Sequence, residues 1–231
     1  MFSGVSERTR TFSFRSRNQP DSREETLNIH VFDVRDQSQA RYSSYIWPSA
    51  PILALYLWEH RHELSGKHIL ELGAGTALPG ILAAKCGAYV TLSESALLPK
   101  SIQDLERSCK LNNLNSSQVQ VIGLTWGLFT YSVLQLKPVD LIISSDCFYE
   151  PITFEDILAT VAFLLEKNPR AKFLSTYQER SADWSIEHLL NKWNLRCDEI
   201  SIDTLGEKSG VNIDDFLQNH TIHLLQISRR S

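Results

Sequence analysis

The sequence predicts an α/β protein whose mostly parallel sheet is covered by helices on both faces. From residue 68 onward, short apolar runs alternate with helical stretches, as in strands joined by crossover helices. A glycine turn, "GAGT", follows the first of these runs, at the place where such sheets bind ligands. The last two apolar runs are separated by a polar loop without a helical pattern, and they predict an antiparallel pair at the end of the sheet.

The N-terminal part of the chain contains three predicted elements. Residues 1–24 carry arginines and serines without an apolar centre, which favours a flexible arm. Residues 27–34, "LNIHVFDV", alternate between apolar and polar and predict an edge strand or one arm of a hairpin. The stretch "IWPSAPILALYLW" has two prolines suited to a first helical turn and predicts an amphipathic helix that ends near Gly66. The expected organisation is an arm over 1–24 and a single domain over 25–231.

The remaining elements follow from the period of the apolar residues. Apolar runs predict strands over 68–72, 89–93, 119–124, 140–145, 172–176, 196–202 and 221–228. Helical periodicity predicts helices over 78–86, 99–111, 154–165 and 184–193. Because the carboxyl ends of parallel strands meet at one edge of a sheet, ligand-binding residues are expected directly after the strands.

Composition excludes several classes of function. Hydrophobic residues make up 42% of the 231 residues and charged residues 22%, as in ordinary globular proteins. The net charge of −4 gives no basic footprint, and no apolar run has the length of a membrane span, so neither direct nucleic-acid contact nor membrane contact is expected. The four cysteines form no CxxC pair, and His60 and His62 diverge on a helix, so no metal site is predicted.

The glycine turn departs from two phosphate-binding patterns. A dinucleotide fingerprint needs a third glycine at position 78, where this chain has Leu78. A phosphate-binding P-loop needs a lysine directly after Gly80, where this chain has Ile81. A turn with a purely structural role and a turn that binds another nucleoside-type cofactor remain as alternatives.

S-adenosylmethionine (SAM) suits the residues that are present. Gly73 and Gly75 let the backbone approach a ligand closely, and Glu71 at the end of the strand could support the turn or hold the ammonium of SAM through water. Glu94 follows the next strand, where a carboxylate can accept hydrogen bonds from both ribose hydroxyls.

Longer segments resemble one enzyme family. "ILELGAGTALPGILAAKCGAYVTLSES" resembles the first motif and second acid of class I SAM-dependent methyltransferases. The Pro79-Gly80 pair, "IWPSAPILALYLW", "LTWG" and "SSDCFYEP" resemble the lysine methyltransferase-like branch, which methylates protein side chains. The resemblance covers about two thirds of the chain, residues 45–193. It implies a Rossmann-like seven-stranded sheet, mostly parallel with an antiparallel last strand, and SAM as the cofactor.

The resemblance also implies roles for individual residues. For the cofactor, the resemblance implies that Trp47 lines the SAM pocket and that Glu71, Gly73 and Gly75 form the turn at the methionine end. It also implies that Glu94 binds the ribose and that Trp126 packs on the adenine ring. The family often has aspartate where this chain has Glu94. Asp146 and Tyr149 would form a D-x-x-Y element beside the methyl donor, although a carboxylate at 146 could also cap the helical stretch that begins at Pro151. By its position after the same strand, Glu150 adds an acid that can orient a cationic side chain. From their place after the fifth strand, Tyr177, Glu179 and Arg180 could form the opposite wall or an ordinary exposed loop.

The expected function is SAM-dependent N-methylation of a basic side chain in a protein. The resemblance favours arginine, with a histone as one candidate substrate, and places lysine next. A non-catalytic SAM-binding or chaperone-associated scaffold and a small-molecule or nucleic-acid methyltransferase are the alternatives. The expected partners are the basic protein substrate and a chaperone or transcription factor, the expected state is a monomer, and the expected location is the nucleus and cytoplasm.

Overall fold

The computed structural model describes residues 8–16, 25–33, 42–207, 209–217 and 219–230. Within these residues, two strands form an N-terminal hairpin and seven form a central sheet. The strands are β1 (Arg8–Arg15), β2 (Thr26–Asp33), β3 (His68–Glu71), β4 (Tyr89–Glu94), β5 (Val119–Gly123), β6 (Leu141–Ser145), β7 (Lys172–Gln178), β8 (Leu195–Ile200) and β9 (Ile222–Arg229).

The central sheet has the strand order β5-β4-β3-β6-β7-β9-β8. The pairs from β5 through β7 are parallel, whereas β9 runs antiparallel to both β7 and β8. The predicted seven-stranded sheet with one antiparallel last strand is therefore confirmed. The strand order changes direction at β3, which is paired with both β4 and β6, so the ligand crevice is expected at the end of β3.

Helices cover both faces of the sheet. They are α1 (Ser49–Glu59), α2 (Leu78–Lys85), α3 (Pro99–Leu111), α4 (Tyr131–Leu134), α5 (Phe154–Lys167), α6 (Glu187–Lys192) and α7 (Asp214–Leu217). Each face of the sheet has its own hydrophobic core. In β3, Ile69 packs in the core that contains α1 and α2, whereas Leu70 packs in the core that contains α5. This two-sided burial explains why the strands are short continuous apolar runs. None of the helices in the described ranges is long and apolar enough to cross a bilayer.

Helix α1 differs from the predicted amphipathic helix. It ends at Glu59, well before Gly66, and nine of its eleven residues are buried. Helix α2 packs along it, while β7 and α7 contact it from other sides. A helix enclosed in this way needs no polar face, so its sequence is apolar on all sides.

The predicted flexible arm over residues 1–24 is wrong for residues 8–15, which form β1. This strand pairs antiparallel with β2 along its whole length, from Arg8 opposite Asp33 to Arg15 opposite Thr26. Phe12 and Phe14 are buried on one face of the hairpin. The signal was the alternation in "RTRTFSFR", which the arginines and serines of the surrounding stretch obscure. The other residues of the predicted arm up to 24, apart from Ser16, lie outside the described residues.

The hairpin is attached to the helices by specific hydrogen bonds. A two-stranded hairpin is marginally stable alone, so docking must supply its stability. The buried Asn112 side chain accepts the His30 backbone N–H at 2.9 Å and donates to the His30 carbonyl at 2.7 Å. The Trp58 indole N–H donates to the Arg15 carbonyl at 2.9 Å.

Replacing Asn112 with alanine should weaken the docking of the hairpin. The variant leaves the backbone N–H and carbonyl of His30 without their partner, which costs about 1–3 kcal/mol for buried groups. Urea unfolding should therefore show a lower midpoint for Asn112→Ala, together with faster amide exchange in β1 and β2. Gln103→Ala, on an exposed position of α3, is the matched control and should unfold like the wild type. Wild-type exchange in the hairpin of Asn112→Ala would contradict this account.

Candidate cofactor and substrate site

The turn after β3 requires both of its glycines. Gly73 has φ +58° and Gly75 has φ +53°, in the left-handed region that side chains disfavour. A Cβ on Gly73 would also lie 2.9 Å from Cζ2 of Trp126 and 3.0 Å from the Cys147 sulfur. A Cβ on Gly75 would lie 3.4 Å from the Ser43 carbonyl oxygen. The backbone of the turn therefore lies close to the residues around it, and Gly73 leaves no room for a side chain.

A cavity of about 460 Å³ opens at this turn. It lies at the carboxyl ends of β3, β4 and β6, as expected for this kind of sheet. Seven of the predicted site residues line it: Trp47, Gly73, Gly75, Glu94, Trp126, Asp146 and Tyr149. The structure thus brings together residues that are as much as 102 positions apart in the chain, from 47 to 149.

Glu94 presents a largely buried carboxylate to the cavity. Its Oε2 accepts the Gly75 N–H at 3.2 Å, and its Oε1 accepts the Ser95 N–H at 3.1 Å. Burial raises the pKa of Glu94, and these two hydrogen bonds oppose that rise. A carboxylate has about four acceptor positions, so two remain for hydroxyl donors. This acceptor set fits a ribose with two free hydroxyls.

Glu71 does not line the cavity, so the structure does not make it a direct ligand of the methionine end of SAM. Its side chain is fully buried behind the turn, where Oε2 accepts the N–H of Gly80 at 3.0 Å. Gly80 is the third residue of α2, and this N–H would otherwise have no partner within the helix. A Cβ on Gly80 would collide with the Glu71 carboxylate. Of the two roles that the sequence allowed, the structure favours support of the turn.

The buried position also changes the protonation of Glu71. Burial is the largest cause that raises the pKa of Glu71, the Gly80 hydrogen bond lowers it and the charge of Glu94 raises it, and together they move it from 4.5 to about 8. The carboxyl group of Glu71 is therefore largely protonated at neutral pH.

Several lining residues carry no clear signal in the sequence. They are Ser43, Tyr45, Thr76, Leu98, Ser101 and Cys147. The segment before α1 closes over the cavity, because the Ser43 and Ser101 hydroxyls lie 2.8 Å apart. Within the same segment, the rings of Tyr45 and Trp47 pack edge to face at 5.0 Å. The quoted stretch "IWPSAPILALYLW" begins too late to include Ser43 or Tyr45.

Glu150 is the predicted catalytic residue that the structure leaves outside the cavity. Its side chain is exposed, and its backbone carbonyl accepts the Thr153 hydroxyl at 2.8 Å. The chain turns at Pro151, directly after Glu150, into the short 3-10 helix Pro151–Thr153. Glu150 directly follows the D-x-x-Y element in the sequence, but its side chain does not line the cavity that this element lines.

Asp146 is a buried carboxylate that is already paired with a guanidinium. Its backbone has φ +60°, which aspartate tolerates better than most residues, and its N–H donates to the Thr176 carbonyl at 2.6 Å. Arg180 donates to both carboxylate oxygens, at 2.9 and 2.7 Å, in a bidentate pair. The Gln178 N–H adds a third hydrogen bond at 3.1 Å. The Arg180 guanidinium carbon lies 5.4 Å from the centre of the Trp47 ring.

A second cavity, of about 220 Å³, lies beside the first. Residues that the sequence proposed for an opposite wall, Tyr177, Glu179 and Arg180, all line it. Its other walls include Phe148, Phe154, Trp184 and His223. Burial lowers the pKa of His223, but hydrogen bonds to Glu199 and Glu179 raise it by more, so the net shift is upward.

The described residues contain no group of three or more His, Cys, Asp or Glu side chains arranged to hold a metal ion. The first cavity is lined by carboxylates, aromatic rings and the backbone of the glycine turn. Burial raises the pKa of the Cys147 thiol far above its ordinary value, so this lining thiol stays protonated.

Comparison with known proteins places these features in context. A family model described as lysine methyltransferase matches residues 26–190. The chain is 49% identical to the histone-arginine methyltransferase METTL23 of Rattus norvegicus, over 95% of this chain and 96% of the relative. It is 51% identical to the protein of the same name from Homo sapiens, over 80% of this chain and 96% of the relative.

A solved structure extends the likeness to the fold. The Thermus thermophilus 16S rRNA methyltransferase RsmC, solved in complex with AdoMet and guanosine, superposes with a TM-score of 0.58 at 16% identity. The match covers 96% of this chain and 51% of RsmC, and at this identity it bears on the fold alone.

Replacing Glu71 with glutamine should flatten the dependence of stability on pH. A carboxyl whose pKa is higher when folded than when unfolded stabilises the protein at low pH. That contribution is lost as pH rises from the ordinary value of 4.5 through about 8. The wild type should lose up to about 1.4 kcal/mol of unfolding free energy per pH unit between pH 6 and 8. Urea unfolding at pH 6, 7 and 8 should show a smaller loss for Glu71→Gln, while exposed Glu150→Gln keeps the wild-type slope. Parallel curves for wild type and Glu71→Gln would show that Glu71 does not titrate in this range.

Two substitutions should separate the shape of the turn from its hydrogen bonding. Gly73→Ala should abolish SAM binding in calorimetry, because its Cβ would crowd Trp126 and Cys147 in a backbone conformation that alanine disfavours. Glu94→Gln should weaken SAM binding about ten- to a hundredfold, the cost of losing hydrogen bonds to a charged acceptor. Glu106→Gln, exposed on α3, should bind as the wild type does. Wild-type affinity in Glu94→Gln would exclude Glu94 as the ribose acceptor.

Proposed function

This chain belongs to the lysine methyltransferase family of SAM-dependent protein methyltransferases, and on that premise we propose that it methylates arginine side chains, those of histones among them. SAM is its cofactor, as the glycine turn and the ribose acid predicted. The family model bears the description lysine methyltransferase, whereas the two relatives above are named for histone arginine. The choice between the two amino acids therefore has to be argued from the site.

The observation that carries the proposal is the bidentate hold of Asp146 on a guanidinium. Both carboxylate oxygens of Asp146 accept parallel hydrogen bonds from Arg180, and the side chain of Asp146 is only 1% exposed. A planar guanidinium matches this geometry with two fixed donors, whereas the ammonium of lysine is a point charge that cannot reproduce the fork. The site therefore already has the form that an arginine substrate needs.

The residues of the first cavity fit the cofactor and divide its binding among them. SAM supplies a methyl group activated by its sulfonium, so the transfer requires no metal. The glycine turn lets the backbone approach the methionine part, and Glu94 accepts from the ribose. Trp126 lines the cavity against Gly73, so this ring contacts the turn as well as the remaining space. The segment that contains Ser43 and Tyr45 forms part of the wall of this cavity.

On the substrate side, we assign the orienting role to Asp146 and the neighbouring contact to Tyr149. A guanidinium held by Asp146 is fixed in one plane, with Trp47 near its face. Positioning of this kind supplies much of the rate in a displacement whose donor is already activated. Glu150, exposed outside the cavity, has no part in this arrangement.

The net charge of the chain supports a basic protein substrate, and a histone substrate leads to a proposal about cellular location. The net charge of −4 favours a basic protein partner. A histone substrate requires that part of the protein population reach the nucleus, and we propose the nucleus and the cytoplasm as its locations. Fractionation of cells that express the full chain tests that part of the proposal.

Asp146→Asn should abolish methyl transfer while the affinity for SAM stays close to that of the wild type. The amide keeps the shape of the side chain but loses the charge that orients a guanidinium, which costs about 2–5 kcal/mol, or at least about thirtyfold in kcat/KM. The measurement is transfer of a labelled methyl group to core histones, with mass spectrometry to identify the modified amino acid. Asp104→Asn, which weakens two ion pairs along α3, with Lys100 and Arg107, is the control and should retain activity.

The identity of the methylated residue tests the proposal directly. Histone peptides in which every arginine is replaced by lysine should not be labelled. Labelled lysine in wild-type histones would instead support the lysine alternative. SAM binding without transfer to any basic protein would support the scaffold alternative.

A further inference from the structure

None of the residues assigned to SAM binding lines the second cavity. It is lined by Phe148 after β6, by Tyr177 near the end of β7 and by His223 at the start of β9. No residue lines both cavities, although Phe148 of the second cavity is flanked in the chain by Cys147 and Tyr149 of the first. A cavity next to the reacting centre that the cofactor leaves free is a place for a substrate group.

The walls of this cavity are aromatic and ordered by mutual packing. Phe154 packs edge to face against Phe148 at 5.4 Å and against Trp184 at 5.8 Å. Tyr177 stacks on the His223 ring at 5.0 Å. Trp184 is 39% exposed, so one wall of the cavity is open to solvent. Aromatic faces in this arrangement attract cations through the ring quadrupole.

Carboxylates in and directly beside the second cavity outnumber its cations, whatever the protonation of its histidine. His223 Nε2 lies 3.1 Å from Oε2 of Glu179, and His223 Nδ1 lies 2.6 Å from Oε1 of Glu199. Together with Asp146, which binds Arg180, these two carboxylates supply three negative charges against the positive charge of Arg180 and that of a protonated His223, so a negative excess remains in either state. Glu179 lines the cavity and has acceptor positions beyond the one that His223 takes. A cationic side chain is therefore the ligand that fits these walls.

Arg180 connects the second cavity to the first. Its side chain lines the second cavity, while its guanidinium binds Asp146, which lines the first. The side chain of Arg180 is 21% exposed and lies outside any helix or strand. A side chain that enters from the second cavity towards Asp146 thus meets the guanidinium of Arg180.

We propose that the second cavity admits the basic side chain of the protein substrate, and that Arg180 is a gate whose guanidinium the substrate's guanidinium replaces on Asp146. This inference rests on the proposed function and names the route to its site. Removing Arg180 alone would leave a buried charge without a partner, which is costly. Exchange of one guanidinium for another keeps Asp146 paired, so the gate opens at low cost only to a ligand of the same shape.

The probe for this site is methylguanidinium, added to the full chain after the first cavity has been saturated with S-adenosylhomocysteine. The indole N–H signals of Trp184 and Trp126 in NMR spectra report the second and first cavities separately. We expect methylguanidinium to shift the Trp184 signal in a saturable way, and uncharged N-methylurea of the same shape to leave it in place. Equal responses to the two compounds would overturn the assignment of a cation site.

Substitutions test the walls and the gate separately. Glu179→Gln should weaken methylguanidinium binding about three- to tenfold, and Trp184→Ala should do the same. Because Trp184→Ala removes the indole reporter, binding to that variant is measured from the NMR relaxation of the methylguanidinium signal. Exposed Glu166→Gln and Tyr131→Ala are matched controls and should bind as the wild type does. Unchanged affinity in both Glu179→Gln and Trp184→Ala would overturn the proposal.

Arg180→Ala should bind methylguanidinium roughly tenfold more tightly, because the internal competitor is gone. Weaker or unchanged binding in folded Arg180→Ala would show that Arg180 is a fixed wall and would overturn the gate. Should this variant not fold, Arg180→Lys serves in its place, since a lysine cannot hold Asp146 bidentately and should compete less well.

This test is independent of the proposed function. Methylguanidinium bound at Trp184 by a protein that methylates no arginine would contradict the proposed function and retain the cation site. Methylation of arginine at the wild-type rate in Glu179→Gln and Trp184→Ala would contradict the route and retain the proposed function.

Discussion

The site depends on how the turn after β3 is tied to both neighbouring strands. The Leu72 N–H donates to the Ile143 carbonyl of β6 at 2.9 Å, and the Ala74 N–H donates to the Ser93 carbonyl of β4 at 2.9 Å. Two successive hydrogen bonds in opposite directions fix Gly73 between the strands. The same ties place the end of β4, with Glu94, on one side of the turn and the end of β6, with Asp146, on the other. The cofactor cavity is therefore a consequence of strand order, because the chain departs from β3 where the order of the sheet reverses.

Three carboxylates lie buried around this turn, and the fold accommodates each in a different way. Glu71 is kept largely protonated, with one oxygen on the N–H of Gly80. Glu94 takes two backbone N–H groups and faces the cavity. Asp146 is balanced by a full positive charge on Arg180. Burying acids opposes folding unless each is neutralised or paired, so their concentration at one edge of the sheet is typical of a functional site.

Most of the fold was predictable because periodicity is local. Helix α3 runs from Pro99 to Leu111 as predicted, since its proline start and its apolar stripe both lie within the segment. The hairpin strand β1 was missed, because its stability comes from docking on Asn112 and Trp58, far along the chain. The same limit applies to the site. The glycines and Glu94 follow from a compact motif, but the partner of Asp146 is 34 residues away, and the orientation of Glu150 depends on the turn at Pro151.

The proposed arginine gate would have a consequence for the order of events in the proposed methylation of arginine at Asp146. The guanidinium of Arg180 always has five N–H donors, whereas each methyl group added to a substrate arginine replaces one of its donors. Substrate and gate compete for the same two carboxylate oxygens, so each methylation shifts that competition towards Arg180. The unmodified arginine is then the strongest competitor, and the methylated product is displaced as Arg180 returns to its bidentate position. In the proposed mechanism the gate and the substrate share one chemistry, so the recognition of arginine and the release of methylarginine would follow from the same buried pair.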